Sequence, residues 1–376
     1  MNRVKILHFA DIHIGAAESF LGSAAVSRSC ERLMTFERII DIAAQNSVKL
    51  IAAAGDIFDS NRVSQELVRS VLAKIASVPD IRVIFAAGNH DPLDAESPLA
   101  GEGLPDNLFV LGTRDECITL EDIGVRVYGR SFESAFSTGA ERFSIVPPQD
   151  EMINIAVLHG DLRSDLGSEY NPITPGFILE SNMDYIALGH IHKRSEILKL
   201  GKTSFAYPGS PEGLGFDETG EKGVYVGEVF KGGCEMEFIP TARRRFFCEK
   251  IDVSDCADSA AAAEKIKAVL FEAHGTEYAE NLFKLELVGT VKSAACLSIP
   301  EITERLSSLY YVKLKDMTEP EVNYNELAAE ISLKGIFVKN MLEKIKCCDE
   351  NSAEALKNAL KLGLRAFDGE VSFDDN

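Results

Sequence analysis

No stretch of the sequence is long and apolar enough to cross a membrane. The apolar run that opens at Val4 is broken by Asp11, and it is too short for the core of a secretory leader. The expectation is a cytoplasmic protein with no membrane partner. A disulfide framework and CxxC spacing are also missing. The eight cysteines, Cys30, Cys117, Cys234, Cys248, Cys256, Cys296, Cys347 and Cys348, are scattered and read as small, partly buried apolar side chains in a reducing compartment. Positive charge is short: 39 Lys and Arg face 59 Asp and Glu, for a net charge of −20. Residues 246–376 hold 15 basic and 24 acidic residues, or −9, so the deficit runs through both halves and is not confined to a tail. That balance argues against a tight, autonomous grip on a polyanion. Internal repeats and low-complexity segments are absent too.

What is present fits an ordinary globular protein, with 45% hydrophobic and 26% charged residues. A chain of 376 residues is long for one domain and comfortable for two. A single pattern recurs through the N-terminal half, a short apolar run followed at once by a polar turn. Val4–Phe9 leads to Asp11 and His13, and Leu50–Ala54 to Gly55 and Asp56. Arg82–Ala86 leads to Gly88, Asn89, His90 and Asp91. Ile153–Leu158 leads to His159, and Tyr185–Leu188 to Gly189, His190 and His192. Runs of that length bounded by glycine predict buried strands. Helical spacing between them, over Cys30–Asn46 and from an N-cap at Ser64 to Ser77, predicts an α/β domain. Ligands in such domains gather beyond the carboxyl ends of strands, where every one of these polar turns falls.

Beyond Lys202 the texture shifts to shorter alternating strands, Ser204–Tyr207, Gly223–Glu228 and Glu235–Ile239. The basic triplet Arg243–Arg245 marks a boundary, giving domains 1–245 and 246–376. The second reads as β-α-β over Phe247–Val253, Ala260–Ala273 and Leu282–Leu287. Helices then run from Tyr324 to Ala366, and the tail Asp374-Asp375-Asn376 is expected to fray.

Of only seven histidines, His13, His90, His159, His190 and His192 follow predicted strands directly, in company with Asp11, Asp56 and Asn89. His8, inside the first strand, and His274, on a C-terminal helix, read as structural. Asp11 and His13 lie two residues apart, so an extended backbone would point both to one side; His190 and His192 repeat the spacing. Gly55 and Gly88 would let the turns approach an ion without a Cβ in the way. Imidazole, carboxylate and amide oxygen together suit Mn²⁺, Fe²⁺ or Zn²⁺, with Mg²⁺ as a further alternative, better than Ca²⁺ or an iron–sulfur cluster. Without cysteine among the candidates, a structural zinc knot is excluded.

Read in order, these segments spell Asp-x-His, Gly-Asp-x-x-Asp, Gly-Asn-His-Asp, a lone His, and Gly-His-x-His across residues 11–192. The series resembles that of the calcineurin-like metallophosphoesterases. The resemblance implies a four-layer fold, a β-sandwich flanked by helices, with a smaller C-terminal α+β capping domain. It implies two divalent ions, foremost Mn²⁺, with Asp11, His13 and His192 on one, Asn89, His159 and His190 on the other, and Asp56 bridging. His90 would face the substrate and act on the leaving group, Asp91 would orient His90, and Asp59 would support a ligand or form the turn. Two dications against Asp11 and Asp56 leave a local charge of about +2, which attracts phosphate in spite of the acidic surface.

Three further stretches are similar to the SbcD branch of that family: Ile6 to Gly15, Tyr185 to Arg194, and the loop Tyr207–Pro211 followed by Gly215–Glu218 and Lys222–Val224. That likeness implies a DNA exonuclease or endonuclease in repair. It further implies C-terminal helices that dock on an SbcC-like ABC-type coiled-coil ATPase, and it is compatible with a homodimer. Lys193, Arg194, Lys199, Lys202 and Arg243–Arg245 could offset the acidity locally, the triplet serving either as a solvated linker or as a phosphate contact. Which residues would bind substrate is not legible. Two alternatives stand beside the nuclease: a phosphoesterase for a nucleotide or other small phosphoester, which the acidity favours, and an interaction subunit with a decayed site, which the intact ligand series opposes.

Overall fold

A computed structural model describes residues 2–101, 103–136, 143–163, 167–291 and 297–367. Cys296 and the terminal Asp374-Asp375-Asn376 lie outside the described residues; the seven other cysteines are free thiols. Internal contacts divide the chain into two units. One comprises Met1–Glu249, Leu270–Leu285 and Leu306–Leu314, the other Lys250–Val269, Glu286–Arg305 and Lys315–Asn376.

The first unit is built on two six-stranded sheets. One holds β1 (Arg3–Phe9), β2 (Leu50–Ala53), β3 (Arg82–Phe85), β4 (Leu108–Val110), β11 (Gly223–Phe230) and β12 (Gly233–Pro240) in the order β12-β11-β1-β2-β3-β4. The other holds β5 (Glu116–Leu120), β6 (Val125–Gly129), β7 (Ile153–His159), β8 (Tyr185–Gly189), β9 (Leu198–Leu200) and β10 (Thr203–Ala206) in the order β5-β6-β7-β8-β10-β9. Neighbours from β1 to β4 and from β6 through β8 to β10 are parallel, and the strands outside them add antiparallel edges.

Alternation along the strands sets the layers. Val4, Ile6, Leu50, Ala52 and Ile84 face Val125, Val127, Ile153, Ile155 and Val157 of the other sheet and form the interior of a sandwich. Leu7, Phe9, Ile51, Val83 and Phe85 point the opposite way, onto helices α1 (Ala25–Gln45) and α2 (Gln65–Ala76). Tyr128, Ala156, Leu158, Ile186 and Phe205 back onto the short α3 (Pro175–Glu180) and its flanking loops. Strands covered on both faces explain the continuous apolar runs in the sequence. Each fully buried Val, Leu or Ile contributes roughly 1.5–3 kcal/mol. Ser64 caps α2 by accepting from Leu67 N at 3.3 Å.

Several elements depart from the sequence expectation. The sequence pattern does not predict β4, β5, β6 or β9: β4 and β9 are three residues long, β5 is largely exposed, and the buried β6 is interrupted by Arg126. The strands after Lys202 belong to the two sheets, β10 joining one and β11 and β12 the other. His8 is a core residue, as its place inside β1 suggested, with its ring between Tyr185 Oη (2.9 Å) and Leu188 O (3.1 Å). Burial pushes its pKa down to about 3 and keeps it neutral.

The rest of the chain supplies β13 (Phe246–Asp252), α4 (Ser259–His274), β14 (Leu282–Val288), β15 (Thr290–Val291), α5 (Ile299–Arg305), β16 (Tyr311–Asp316), β17 (Glu319–Pro320), α6 (Tyr324–Ala329), α7 (Leu333–Cys347) and α8 (Glu350–Phe367). β13, β14 and β16 form a three-stranded sheet, and β15 pairs with β17. In α7, Val338 and Met341 pack with Leu360 and Leu364 of α8, joined by Phe337 and Ile345. Ile331, Leu333 and Ile336 point outward, so the apolar positions of this region serve two different surfaces.

A buried ionic cluster ties α1 to two loops of the first unit. Arg28 is fully buried, with Nη1 2.6 Å from Glu212 Oε1 and 3.0 Å from Glu31 Oε2, while Nη2 donates to Gly213 O at 2.8 Å. Arg32 holds Glu18 at 2.5 Å and donates to Ala16 O at 3.3 Å, so the loop after β1 is anchored to the same helix. Arg28→Ala would leave Glu212 buried without its partner and should destabilise the first unit by about 3–5 kcal/mol. Urea unfolding of the variant against wild type measures this; a change below about 1 kcal/mol would contradict it.

Candidate metal centre

The site is assembled where strands of both sheets end. Asp11 N donates to Gly55 O and His13 N to Asp56 O, each at 3.0 Å, so the loop after β1 is stitched to the loop after β2. The two sheets meet where β8 ends. A Cβ at Gly189 would overlap Ala54 O, and Ala10 lies against the same spot, so only a glycine lets the turn carrying His190 and His192 approach. His190 N then donates to both oxygens of Asp11, at 2.9 and 3.1 Å.

Every residue singled out from the sequence as a ligand is found here. His13 Nε2 lies 3.1 Å from His192 Nε2 and 3.7 Å from Asp56 Oδ2. The same Asp56 oxygen is 3.3 Å from His159 Nε2. Asn89 Oδ1 is 3.0 Å from His159 Nε2 and 3.1 Å from His190 Nδ1. Three overlapping groups, Asp11 with His13 and His192, Asp11 with Asp56 and His159, and His13 with Asp56 and His90, each bring one donor atom per residue within 4.8 Å of the others.

The extended backbone expected around Asp11 and His13 is not what delivers them. Asp11 (φ 56°), His13 (φ 49°), Asp56 (φ 52°) and His190 (φ 101°) all carry left-handed backbone, and the sharp turns aim their side chains inward. Such positions cost on the order of 1–3 kcal/mol each and persist only where the surroundings hold them. Asp91 is one such holder. Its carboxylate accepts from the backbone N–H groups of Asp56 (3.1 Å), Ile57 (2.8 Å), Phe58 (3.1 Å) and Gly88 (2.8 Å). With both oxygens engaged by the turn, Asp91 does not orient His90, contrary to expectation. That falls to Asp59, whose carbonyl oxygen lies 3.2 Å from His90 Nδ1 and whose carboxylate lies 3.4 Å from His13 Nδ1. Gly55 is required as well: its φ is +90°, and a Cβ there would run into the His159 ring.

Burial works against charge on His159, but Asp56 and Asp11 outweigh it and push its pKa up to about 9. Burial and the neighbouring His159 push His190 down to about 4. Burial also raises Asp91, helped by Asp56, to about 6. Asp56 itself is raised by burial yet ends well below the usual carboxylate range, because His159 and His13 face it. The environment thus favours positive charge beside Asp56. Nitrogen lone pairs and carboxylate oxygens converge on shared points, with His13 Nε2 facing His192 and Asp56 while its Nδ1 turns to the Asp59 carboxylate. This donor set fits divalent cations of the manganese, iron or zinc kind.

Residues 4–194 of the chain match the family model described as calcineurin-like phosphoesterase. The chain belongs to that family. Its fold therefore implies divalent metal ions, and the phosphoesterase is a hydrolase of the mixed α/β, two-sheet kind. It is 28% identical over 260 residues to a protein of Methanopyrus kandleri named DNA double-strand break repair protein Mre11, covering 63% of this chain and 56% of that one. It is 30% identical over 245 residues to the uncharacterized metallophosphoesterase YhaO of Bacillus subtilis, covering 62% and 59%. The matches thus span a little over half the length of these relatives. A purple acid phosphatase from yellow lupin seeds aligns with a TM-score of 0.41 at 14% identity, over 64% of this chain and 52% of that one. Among the described residues no helix of the phosphoesterase is long and apolar enough to cross a membrane.

Some contacts escaped the sequence reading. Glu218 sits 2.7 Å from His192 Nδ1, Asp161 3.4 Å from His190 Nε2, and the Tyr170 ring stacks on His190 at 4.8 Å. Only Glu218 lay in a motif, and no spacing rule could have paired it with His192. The basic triplet also differs from both of its expected roles at its centre. Arg244 is buried, with Nε 2.9 Å from Glu31 and Nη1 2.6 Å from Glu280, and its guanidinium covers the Tyr310 ring at 3.6 Å. It is neither a solvated linker nor a free phosphate contact.

Cation binding to the folded chain alone should raise its stability. Mn²⁺ at about 100 times its dissociation constant should add about 2.7 kcal/mol. Thermal unfolding with the cation and with chelator reads this as an upward shift of the midpoint; coincident curves would speak against a cation site.

Proposed function

We propose that the chain hydrolyses DNA phosphodiester bonds in double-strand break repair, with two Mn²⁺ ions as cofactors. The reading is carried by one observation: a single oxygen of Asp56 lies between His159 Nε2, at 3.3 Å, and His13 Nε2, at 3.7 Å. A carboxylate so placed serves two adjoining pockets. Asp11, His13 and His192 would hold one ion, Asn89, His159 and His190 the other, and Asp56 both. When bound, the pair supplies Lewis acidity that balances charge developing on the phosphoryl group. The likeness to proteins named Mre11 supports DNA as the substrate.

His90 has a different place. Its side chain is 46% exposed, its Nδ1 rests against Asp59, and its ring stands edge-on to His13 at 4.6 Å. Nε2 is therefore the atom left to face a substrate, and it donates a proton or hydrogen bond to the leaving sugar oxygen. Asp91 acts beneath it by holding the turn. Residues 1–245 would form the nuclease domain, and residues 246–376 a cap with helices for the partner. The chain would work in the cytoplasm.

A second reading, a phosphoesterase for nucleotides or other small phosphoesters, draws on the net charge of −20 and on the cations already engaged elsewhere. Arg245 pairs with Glu221 at 3.0 Å, and Lys199 donates to Gly232 O at 2.9 Å.

A digest of linear duplex DNA, single-stranded DNA and a bis(aryl) phosphodiester, with Mn²⁺ and with chelator, separates the readings. DNA should be cut only with Mn²⁺; cleavage of the aryl ester alone would favour the small-substrate reading. In the same assay His90→Gln should keep both ions and lose about 10²–10⁴-fold on DNA, whose leaving group needs an acid, and far less on the aryl ester. Equal losses on both substrates would overturn the general-acid role, and loss of an ion would make His90 a ligand, as its closeness to His13 and Asp56 would then explain.

The partner reading rests on Ile331, Leu333 and Ile336, which are 106%, 78% and 57% exposed while their neighbours Val338 and Met341 fill the local core. Together they would meet the apolar base of an ATPase coiled coil. Leu333→Glu with Ile336→Glu should weaken co-purification with such an ATPase by at least about 2 kcal/mol and leave the fold intact. Undiminished co-purification would remove these residues from the interface.

A further inference from the structure

We propose that Glu218, Lys222 and Ser210 form a positioning relay that fixes both the ring and the main chain of His192. The relay thereby sets the affinity of one of the two cation pockets. The inference rests on the metal-centre reading above and names residues that the motif series leaves without a role.

His192 stands on the loop beyond β8, with a side chain 28% exposed, and its ring would turn freely unless something held it. Glu218 Oε1 lies 2.7 Å from its Nδ1, so the Nδ1–H donates to the carboxylate and the Nε2 lone pair is left facing His13 and Asp11. The other oxygen of Glu218 accepts from Ser210 Oγ at 2.7 Å and from Lys222 Nζ at 3.0 Å. Lys222 is only 5% exposed, and its ammonium also donates to Ser210 Oγ and to His192 O, each at 3.0 Å. Ser210 N reaches the same His192 carbonyl at 3.2 Å. One ammonium therefore pins the backbone of His192 and sustains the buried charge that holds its ring.

Glu218 has both oxygens engaged, so it acts through His192 and is not itself a ligand. A carboxylate behind a ligating imidazole fixes its tautomer and raises its basicity, and losing such a partner typically weakens the metal by about 10–100-fold. His159 is oriented differently, by donation from Nδ1 to the Ala54 carbonyl at 2.8 Å. A backbone oxygen carries no full charge, so the two pockets should respond unequally when Glu218 is changed.

The test uses the full chain. In cation-free wild type at alkaline pH, long-range proton–nitrogen correlation NMR should show His192 with its proton on Nδ1; Glu218→Ala should show a mixture of tautomers. Calorimetric titration with Mn²⁺ should find two sites in wild type and, in Glu218→Ala, one of them weaker by about 10–100-fold with the other unchanged. Glu218→Gln keeps an acceptor oxygen without the charge and should retain the Nδ1 tautomer with an intermediate loss. A mixed tautomer in wild type would overturn the proposal whether or not the variants fold. Two unaltered affinities in a folded Glu218→Ala would overturn it as well. A wild type that holds the Nδ1 tautomer but binds no cation would sink the metal-centre reading alone and leave the positioning of His192 standing.

Discussion

The two sheets must close to backbone contact at the point where β2 and β8 end, and the whole site hangs on that closure. Gly189 and Ala10 leave room for Ala54 O at the seam, and nothing larger fits. Loops from both sheets then deliver imidazoles and carboxylates into three overlapping groups, within each of which the donor atoms lie within 4.8 Å of one another. Like-charged carboxylates and adjacent imidazoles would drive such loops apart in isolation. The sandwich core, built from Ile6, Ala52, Ile155, Val157 and their neighbours, supplies the cohesion that keeps them together.

Left-handed backbone at Asp11, His13, Asp56 and His190 shows how that cohesion is spent. These residues could relax by unbending their turns, and two buried devices prevent it. Asp91 gathers four amide hydrogens of the turns around Asp56 and Gly88. The Arg28–Glu212–Arg32–Glu18 cluster holds the loop after β1 against α1. Both devices fix where the candidate ligands can be.

Much of this is legible because the candidate ligands are rare residues at regular places. His13, His90, His159, His190 and His192 follow strands whose apolar runs are continuous, since both faces are covered. The half-exposed strands Glu116–Leu120 and Leu198–Leu200 carry no such run and went unseen. The resemblance implies that Asp91 orients His90, yet a motif does not reveal a side chain that turns back under its own loop. Glu218 and Arg244 were opaque for the opposite reason. Their partners, His192, Glu31 and Glu280, are distant in sequence, and local pattern carries no trace of them.

The order of strands also bears on synthesis. β1 lies between β2 and β11, with Arg3 opposite Phe230, so the first strand made waits for nearly the last strand of its sheet. Until residue 240 has emerged, β1 presents an open edge with Leu7 and Phe9 on one face and Val4 and Ile6 on the other, the kind of edge that recruits foreign strands. The family-matched segment, residues 4–194, holds every candidate ligand but stops short of β11 and β12. A nascent chain of that length carries every candidate ligand and still lacks the pair of strands that would shield it from aggregation.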